Sequence, residues 1–199
     1  MSSLAIIIES LIFTADSPVS LDRLCELLNE YEREEIKRAI AELVVSYEER
    51  NGSFHLVEVA GGWQFRTSPE YQQYVTRHIK NKTVKFSPSA LETLAIVAYR
   101  QPVTRTEVEF LRGVDCGGVM KTLLEKKLVR ILGKKDIPGR PLIYGTSKEF
   151  LEIFGLKDLK GLPTLKEIQA LDEVPHYEQQ EELPLGQTIE IENELPFES

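Results

Sequence analysis

The chain has 199 residues, 42% of them hydrophobic, and it carries a formal net charge of −8 at pH 7. This composition is typical of a globular protein with one or two domains. No apolar run reaches the roughly 18 residues of a transmembrane helix, no signal-peptide pattern is present, and no cysteine or histidine spacing suits a metal. We therefore expect no membrane association, no metal and no cofactor.

The negative charge is concentrated at the C-terminal end. Residues 170–199 contain nine carboxylates and no lysine or arginine. Residues 1–83 hold 9 basic and 13 acidic side chains, whereas residues 84–169 hold 15 basic and 10 acidic ones. We predict a disordered acidic tail over residues 166–199, which would serve solubility, repel DNA or fold back on the basic segment.

The first 83 residues show the apolar spacing of three helices followed by two strands. Helices are predicted over residues 4–13, 21–28 and 34–47. Strands are predicted over residues 54–59 and 63–66, on either side of two glycines. Ser20 stands where its hydroxyl would cap the second helix. Three helices followed by a hairpin are the order of a winged-helix domain.

The same pattern returns in the second half of the chain. Residues 92–104 repeat the pattern of residues 9–20, with one extra residue before the proline, which indicates a duplicated unit. Ser87 and Pro88 stand at the N-cap and first position of a helix, and Thr104 is placed to cap the next one.

Further helices and strands are predicted beyond this repeat. The helices span residues 107–112 and 119–128, and the strands span 129–132 and 142–144. Gly117 and Gly118 should delay the start of the last helix, because glycine disfavours helix interiors. The predicted fold class is mainly α with small β-hairpins (α+β): two tandem winged-helix domains, residues 1–83 and 84–165.

The charges argue against strong DNA binding by either third helix. The first one begins at Glu32, Glu34 and Glu35, which would face DNA phosphates. The second offers no arginine, asparagine or glutamine at the base-reading positions. A basic cluster surrounds it: Lys121, Lys126, Lys127, Arg130, Lys134, Lys135 and Arg140. A solvated face, weak phosphate contact and an acidic protein partner all remain open for this cluster, and a DNA-binding transcriptional regulator is the alternative function.

Two helices carry more apolar residues than one small domain can bury. Ile6, Ile7 and Ile8 point in three directions at about 100° per residue. A helix on a small domain covers one stripe of its surface, and residues 91–99 show the same excess. This pattern predicts two protein interfaces, one of them with a second copy of the chain. The alternative is that each helix lies wholly inside its own core.

Catalytic patterns are missing from the sequence. His55, His78 and His176 are scattered, with no carboxylate or cysteine at ligand spacing. The glycines near residue 117 lack the lysine that follows the last glycine of a phosphate-binding loop. The two cysteines, Cys25 and Cys116, suggest no disulfide framework and favour a reducing cytoplasm. We therefore expect a protein that is not an enzyme.

Several segments carry a family resemblance. They are residues 94–99, 101–108, 111–114, 136–147 and 150–163. Through them the chain resembles the segregation and condensation protein B (ScpB) family over residues 4–165, most densely over 87–163. Two small departures are Ser147, where many relatives carry threonine, and the Gly117-Gly118 pair.

This resemblance implies a non-enzymatic accessory subunit of a bacterial or archaeal Smc condensin. Such a subunit would dimerise through its N-terminal domain and bind the kleisin ScpA, which joins the Smc ATPase heads. It would act in chromosome condensation and partition, in the cytoplasm and at the nucleoid through Smc, with at most weak direct DNA contact.

Candidate contact residues follow from the apolar helices and the family likeness. The predicted dimer contacts are Ile6, Ile7 and Leu11. The predicted kleisin contacts are Leu91, Leu94, Ile96 and Arg140. Arg140 lies between Pro138 and Pro141 after a glycine, so the loop should be stiff. Either this loop is a wing tip that closes on Tyr144, or Arg140 binds a carboxylate of a partner.

Overall fold

The computed structural model describes residues 2–79, 86–164 and 167. The helices are α1 (Ser3–Phe13), α2 (Leu21–Leu27), α3 (Arg33–Glu49), α4 (Gln72–Ile79), α5 (Pro88–Arg100), α6 (Arg105–Arg112), α7 (Gly117–Glu125) and α8 (Lys148–Ile153). The strands are β1 (Phe54–Val59), β2 (Gly62–Thr67), β3 (Val103–Thr104), β4 (Val129–Lys134) and β5 (Leu142–Thr146). The predicted α+β class is confirmed. The predicted boundary at residues 83–84 and the acidic tail, apart from Glu167, lie outside the described residues.

The core of the first half forms where α1, α2 and α3 meet the β1–β2 hairpin. Ile8, Leu24, Ile36 and Leu43 are fully buried there. Within α3 the buried residues Ile36, Ile40, Leu43 and Tyr47 recur at the spacing of one helical face, so this helix turns an apolar stripe inward. The Tyr47 phenol of α3 donates a hydrogen bond to the Glu9 carboxylate of α1. That bond joins the two longest helices of this half at the edge of the core.

The second half has its own core, which α5, α6 and α7 build with a three-stranded antiparallel sheet in the order β3-β5-β4. Val97, Val108, Leu123 and Leu128 are fully buried in it. Strand β5 lies in the centre, since it pairs with β3 and with β4. Residues Met1–Leu162, which include both cores, form one compact unit.

The duplicated segment has the same structural role in both halves. After the first proline turn, Val19 forms an antiparallel bridge with Trp63 of β2. After the second, Val103 pairs with Tyr144 of β5. The next residue caps a helix in each case, because the Ser20 hydroxyl accepts from the α2 backbone and the Thr104 hydroxyl from the α6 backbone. The predicted caps are confirmed.

The structure corrects the predicted start and end of α7. The glycines do not delay this helix, which begins at Gly117 itself. The Gly117 backbone N–H donates to the Asp115 carboxylate. A Cβ at Gly117 would lie 2.8 Å from the Arg105 guanidinium. The glycine therefore makes room for a neighbouring side chain. The helix ends at Glu125, three residues early, since Lys127 adopts a left-handed φ of 58°.

The two halves also contact each other through the turn between β1 and β2. Ala60 N–H donates to the Leu156 carbonyl at 2.8 Å, and Gly61 N–H donates to the Lys157 carbonyl at 3.1 Å. The Lys157 ammonium pairs with Glu58 at 2.7 Å. These contacts are polar, so the two apolar cores stay separate.

Candidate protein-interaction surfaces

Helix α1 presents apolar side chains to solvent as well as to the core. Its inner face carries Leu4, Ala5, Ile8 and Ile12, which are buried. Its outer face carries Ile6, Ile7 and Phe13, which are 52%, 37% and 74% exposed. We call these last three side chains the α1 surface. Isolated exposed apolar residues are normal, but three on one short helix indicate a contact site.

Polar contacts join helix α1 to helix α3. The Glu42 carboxylate of α3 accepts hydrogen bonds from the backbone N–H and the hydroxyl of Ser2, at 2.7 and 2.8 Å. These bonds, the hydroxyl bond first, lower the pKa of Glu42. Burial first, then the hydrogen bond to Glu9, raises the pKa of the Tyr47 phenol. Helix α1 is therefore tied to α3 at its N-cap, Ser2, and at Glu9.

A shallow apolar groove of about 540 Å³ lies along α6 in the second half. Its lining residues are Arg100, Pro102, Val103, Thr106, Glu107, Phe110 and Leu111. Phe110 is 86% exposed at the edge of this α6 groove, and Leu111 beside it is also exposed. An aromatic side chain left in water next to an apolar depression is a typical anchor for a protein partner.

Charged contacts fix the shape of the α6 groove. The Glu107 carboxylate accepts from the Thr104 backbone N–H at 2.7 Å and from the Thr104 hydroxyl at 2.9 Å, and it pairs with Lys135 at 2.5 Å. The Lys135 hydrogen bond first, then those of Thr104, lower the pKa of Glu107 to about 2. At the other end of α6, Arg112 pairs with Glu92 of α5 at 2.9 Å. The helix is thus tied at both ends.

The wing between β4 and β5 carries Arg140 on a tight turn. Arg140 N–H donates to the Ile137 carbonyl at 2.8 Å, and Gly139 adopts the expected left-handed φ of 85°. Arg140 itself has a φ of 40° and an exposed side chain. It forms no ion pair with any described residue, so its guanidinium is accessible to a partner.

The described residues offer no arrangement suited to metal chemistry. No group of three or more histidine, cysteine or carboxylate side chains within them could hold a metal ion. Both Cys25 and Cys116 are free thiols. No helix in the described ranges is long and apolar enough to span a bilayer.

Comparison with known proteins decides the family. The family model described as "Segregation and condensation complex subunit ScpB" matches residues 6–165 of the chain. The chain belongs to the ScpB family. The likeness that the sequence predicts is thereby confirmed, and with it the function class of a segregation and condensation complex subunit.

Individual ScpB proteins match most of the chain. Segregation and condensation protein B of Syntrophotalea carbinolica is 52% identical over 165 residues, covering 83% of each chain. That of Myxococcus xanthus is 47% identical over 195 residues, 96% of this chain but 59% of that longer protein. A solved structure that is similar is the crystal structure of a dimer of ScpB N-terminal domain complexed with ScpA peptide. Its sequence is 28% identical, and the match covers 37% of this chain and 91% of that chain with a TM-score of 0.34.

The structure separates the predicted ScpB contact residues into exposed and buried ones. Ile6 and Ile7 lie on the α1 surface, and Leu91 is also exposed. Leu11 and Ile96 are half-buried, each packed against its own core.

Leu94 requires a correction. It is 2% exposed and belongs to the core of the second half, so a partner on the surface does not reach its side chain. Helix α5 is apolar nearly all round, which is why its sequence does not reveal which residue faces inward.

Phe13 and Phe110 are exposed residues that the predicted contact set omits. Phe110 stands two positions after the buried Val108, and residues two apart on a helix point to different sides. An aromatic residue outside the apolar stripe of α6 is therefore the sequence feature that identifies this surface.

Proposed function

We propose that the chain is a non-enzymatic accessory subunit of a prokaryotic Smc–ScpA–ScpB complex. It would form a homodimer, bind the kleisin ScpA, and contact Smc through ScpA during chromosome condensation and partition. Its location would be cytoplasmic, at the nucleoid through the Smc complex. Membership of the ScpB family supports this role and does not favour a transcriptional regulator.

The architecture in this proposal is two tandem winged-helix domains. Each half runs through three helices to a hairpin, and each contributes a short extra segment to its sheet at Val19 or Val103. This order supports domains over residues 1–83 and 84–165. The separate apolar cores support the same division.

The observation that carries the proposal is the exposed apolar surface on anchored helices in both halves. The α1 surface supplies the contact between two copies, with Ile6, Ile7 and Phe13 meeting their equivalents across a two-fold axis. The α6 groove with Phe110, together with Leu91, supplies the contact with ScpA. Arg140 on the wing adds a charged contact to a ScpA carboxylate.

The test is direct binding to the central segment of ScpA, measured by isothermal titration with the full chain. We expect a complex at micromolar concentration, weakened at least about tenfold by Leu91→Glu, since a buried unpaired carboxylate opposes association. Ile153→Glu is the matched control, because Ile153 is also exposed but lies on α8. Failure of the unmodified chain to bind ScpA, or equal losses in both variants, would contradict the proposal.

A further inference from the structure

A basic groove of about 610 Å³ lies where the turn after α7 meets the start of α8. Lys127, Arg130 and Lys148 line it, together with Thr146 and Ser147. Glu149 is the one carboxylate among the described lining residues. We call this site the α8 groove. It is distinct from the α6 groove, with which it shares no lining residue.

The positive charge of the α8 groove is not neutralised by the described part of the chain. Elsewhere in the second half, five of the ten described lysine and arginine residues have a carboxylate partner: Arg105, Arg112, Lys121, Lys135 and Lys157. Lys127, Arg130 and Lys148 form no ion pair with any described residue. Three cations against the single carboxylate of Glu149 leave this depression with a net positive charge, although the chain as a whole is acidic.

Hydrogen bonds fix the backbone at Lys127 and the orientation of the Arg130 guanidinium. The Ser147 hydroxyl donates to the Lys127 carbonyl, and Ser147 N–H donates to the Leu128 carbonyl at 3.2 Å. Arg130 Nε donates to the Thr146 carbonyl at 3.2 Å. The terminal amino groups of Arg130 have no hydrogen-bond partner within the described residues. The groove therefore presents an oriented guanidinium and two ammonium groups to an anion.

We propose that the α8 groove binds the sugar–phosphate backbone of duplex DNA. Duplex DNA presents one negative charge per about 1.7 Å, and lysine and arginine side chains are the usual partners of its phosphates. The choice of DNA over an acidic protein segment rests on the proposed function in chromosome partition. The contact is independent of base sequence and differs from insertion of a recognition helix, because the three cations lie after α7, on β4 and at the start of α8, and none of them is a residue of α7.

The test uses the full chain, a labelled duplex of mixed sequence and fluorescence anisotropy over a salt titration. The variant is Lys127→Gln with Lys148→Gln, since neither ammonium has an internal partner and the fold should be preserved. The matched control is Lys134→Gln with Arg140→Gln, which removes the same charge at the wing. We expect the groove variant to bind at least about tenfold more weakly near 50 mM salt and to reduce the salt slope by about 1.8, because each lost phosphate contact removes about 0.9.

Three results would overturn this inference. The first is equal weakening by both double variants, since affinity would then follow net charge and not the groove. The second is no measurable duplex binding at low salt by a chain that still binds ScpA, which leaves the proposed function intact. The third is groove-dependent binding of polyglutamate without duplex binding, because the groove would then recognise carboxylates of a protein.

Discussion

Replacement of Ile6 by alanine tests whether the α1 surface joins two copies of the chain. Ile6 lies on the outer face of α1 and is 52% exposed, so its truncation removes little packing inside the protomer. We expect the free energy of unfolding of the monomer to change by less than about 0.5 kcal/mol, as for other surface substitutions. The effect should appear in self-association.

The expected magnitude follows from the exposed part of the side chain. Full burial of an isoleucine contributes about 1.5–3 kcal/mol, so covering the exposed half contributes about 1 kcal/mol. A two-fold symmetric interface contains the residue twice, which doubles the loss to about 2 kcal/mol. This corresponds to a dimer about 30-fold weaker. Ile6→Glu should weaken it further, because two carboxylates would be desolvated at the same contact.

Sedimentation equilibrium over a range of protein concentrations measures this change, and circular dichroism checks the fold. Ile153→Ala is the matched control, since Ile153 is 56% exposed on α8 and lies outside the proposed interface. A dimerisation constant that is the same for Ile6→Ala, Ile153→Ala and the unmodified chain would refute the assignment of the α1 surface.

Two further predictions concern stability. Gly62→Ala should destabilise the chain by about 2 kcal/mol or more, because its Cβ would lie 2.8 Å from the Val19 backbone, whereas Gly52→Ala meets nothing within 4 Å and should be nearly neutral in urea unfolding. The hydrogen bond with Lys135 lowers the pKa of Glu107 to about 2, from an ordinary value of 4.5. The ionised Glu107 therefore adds to the free energy of unfolding above pH 4.5, and this stabilisation is lost as the pH falls towards 2. Its exposure to solvent limits this contribution to about 1 kcal/mol, and Glu107→Gln should remove that part of the acid sensitivity in thermal melts; an unchanged acid sensitivity would argue against the ion pair.

Most helix starts in the chain could be predicted, because their capping residues are local in sequence. Ser20, Ser87 and Thr104 each cap a helix as expected, and the hydroxyl lies three residues before the N–H it accepts from. The hairpins could also be predicted, because strand-forming residues on both sides of a glycine-containing turn define them. Helices α4 and α8 were not predicted, because both are short and lack a long apolar period.

The sequence predicts the helices that carry the candidate surfaces, but not which side of each helix is exposed. Helices α1 and α5 are apolar on several sides, so periodicity identifies too many residues and does not separate the exposed Leu91 from the buried Leu94. The role of Gly117 depends on Arg105, twelve residues earlier, which approaches it only in the folded chain. The α8 groove likewise joins residues from α7, β4 and α8 whose proximity no local pattern reports.

The two copies of the proline–valine–hydroxyl segment organise the interior of each half in the same way. Val19 and Val103 each join a sheet while the following hydroxyl starts a helix, so a few adjacent atoms organise the inside of each repeat. Substitutions on the outward faces leave that organising segment untouched. The α1 surface and the α6 groove can therefore be altered by substitution without disturbing the segment that organises each interior.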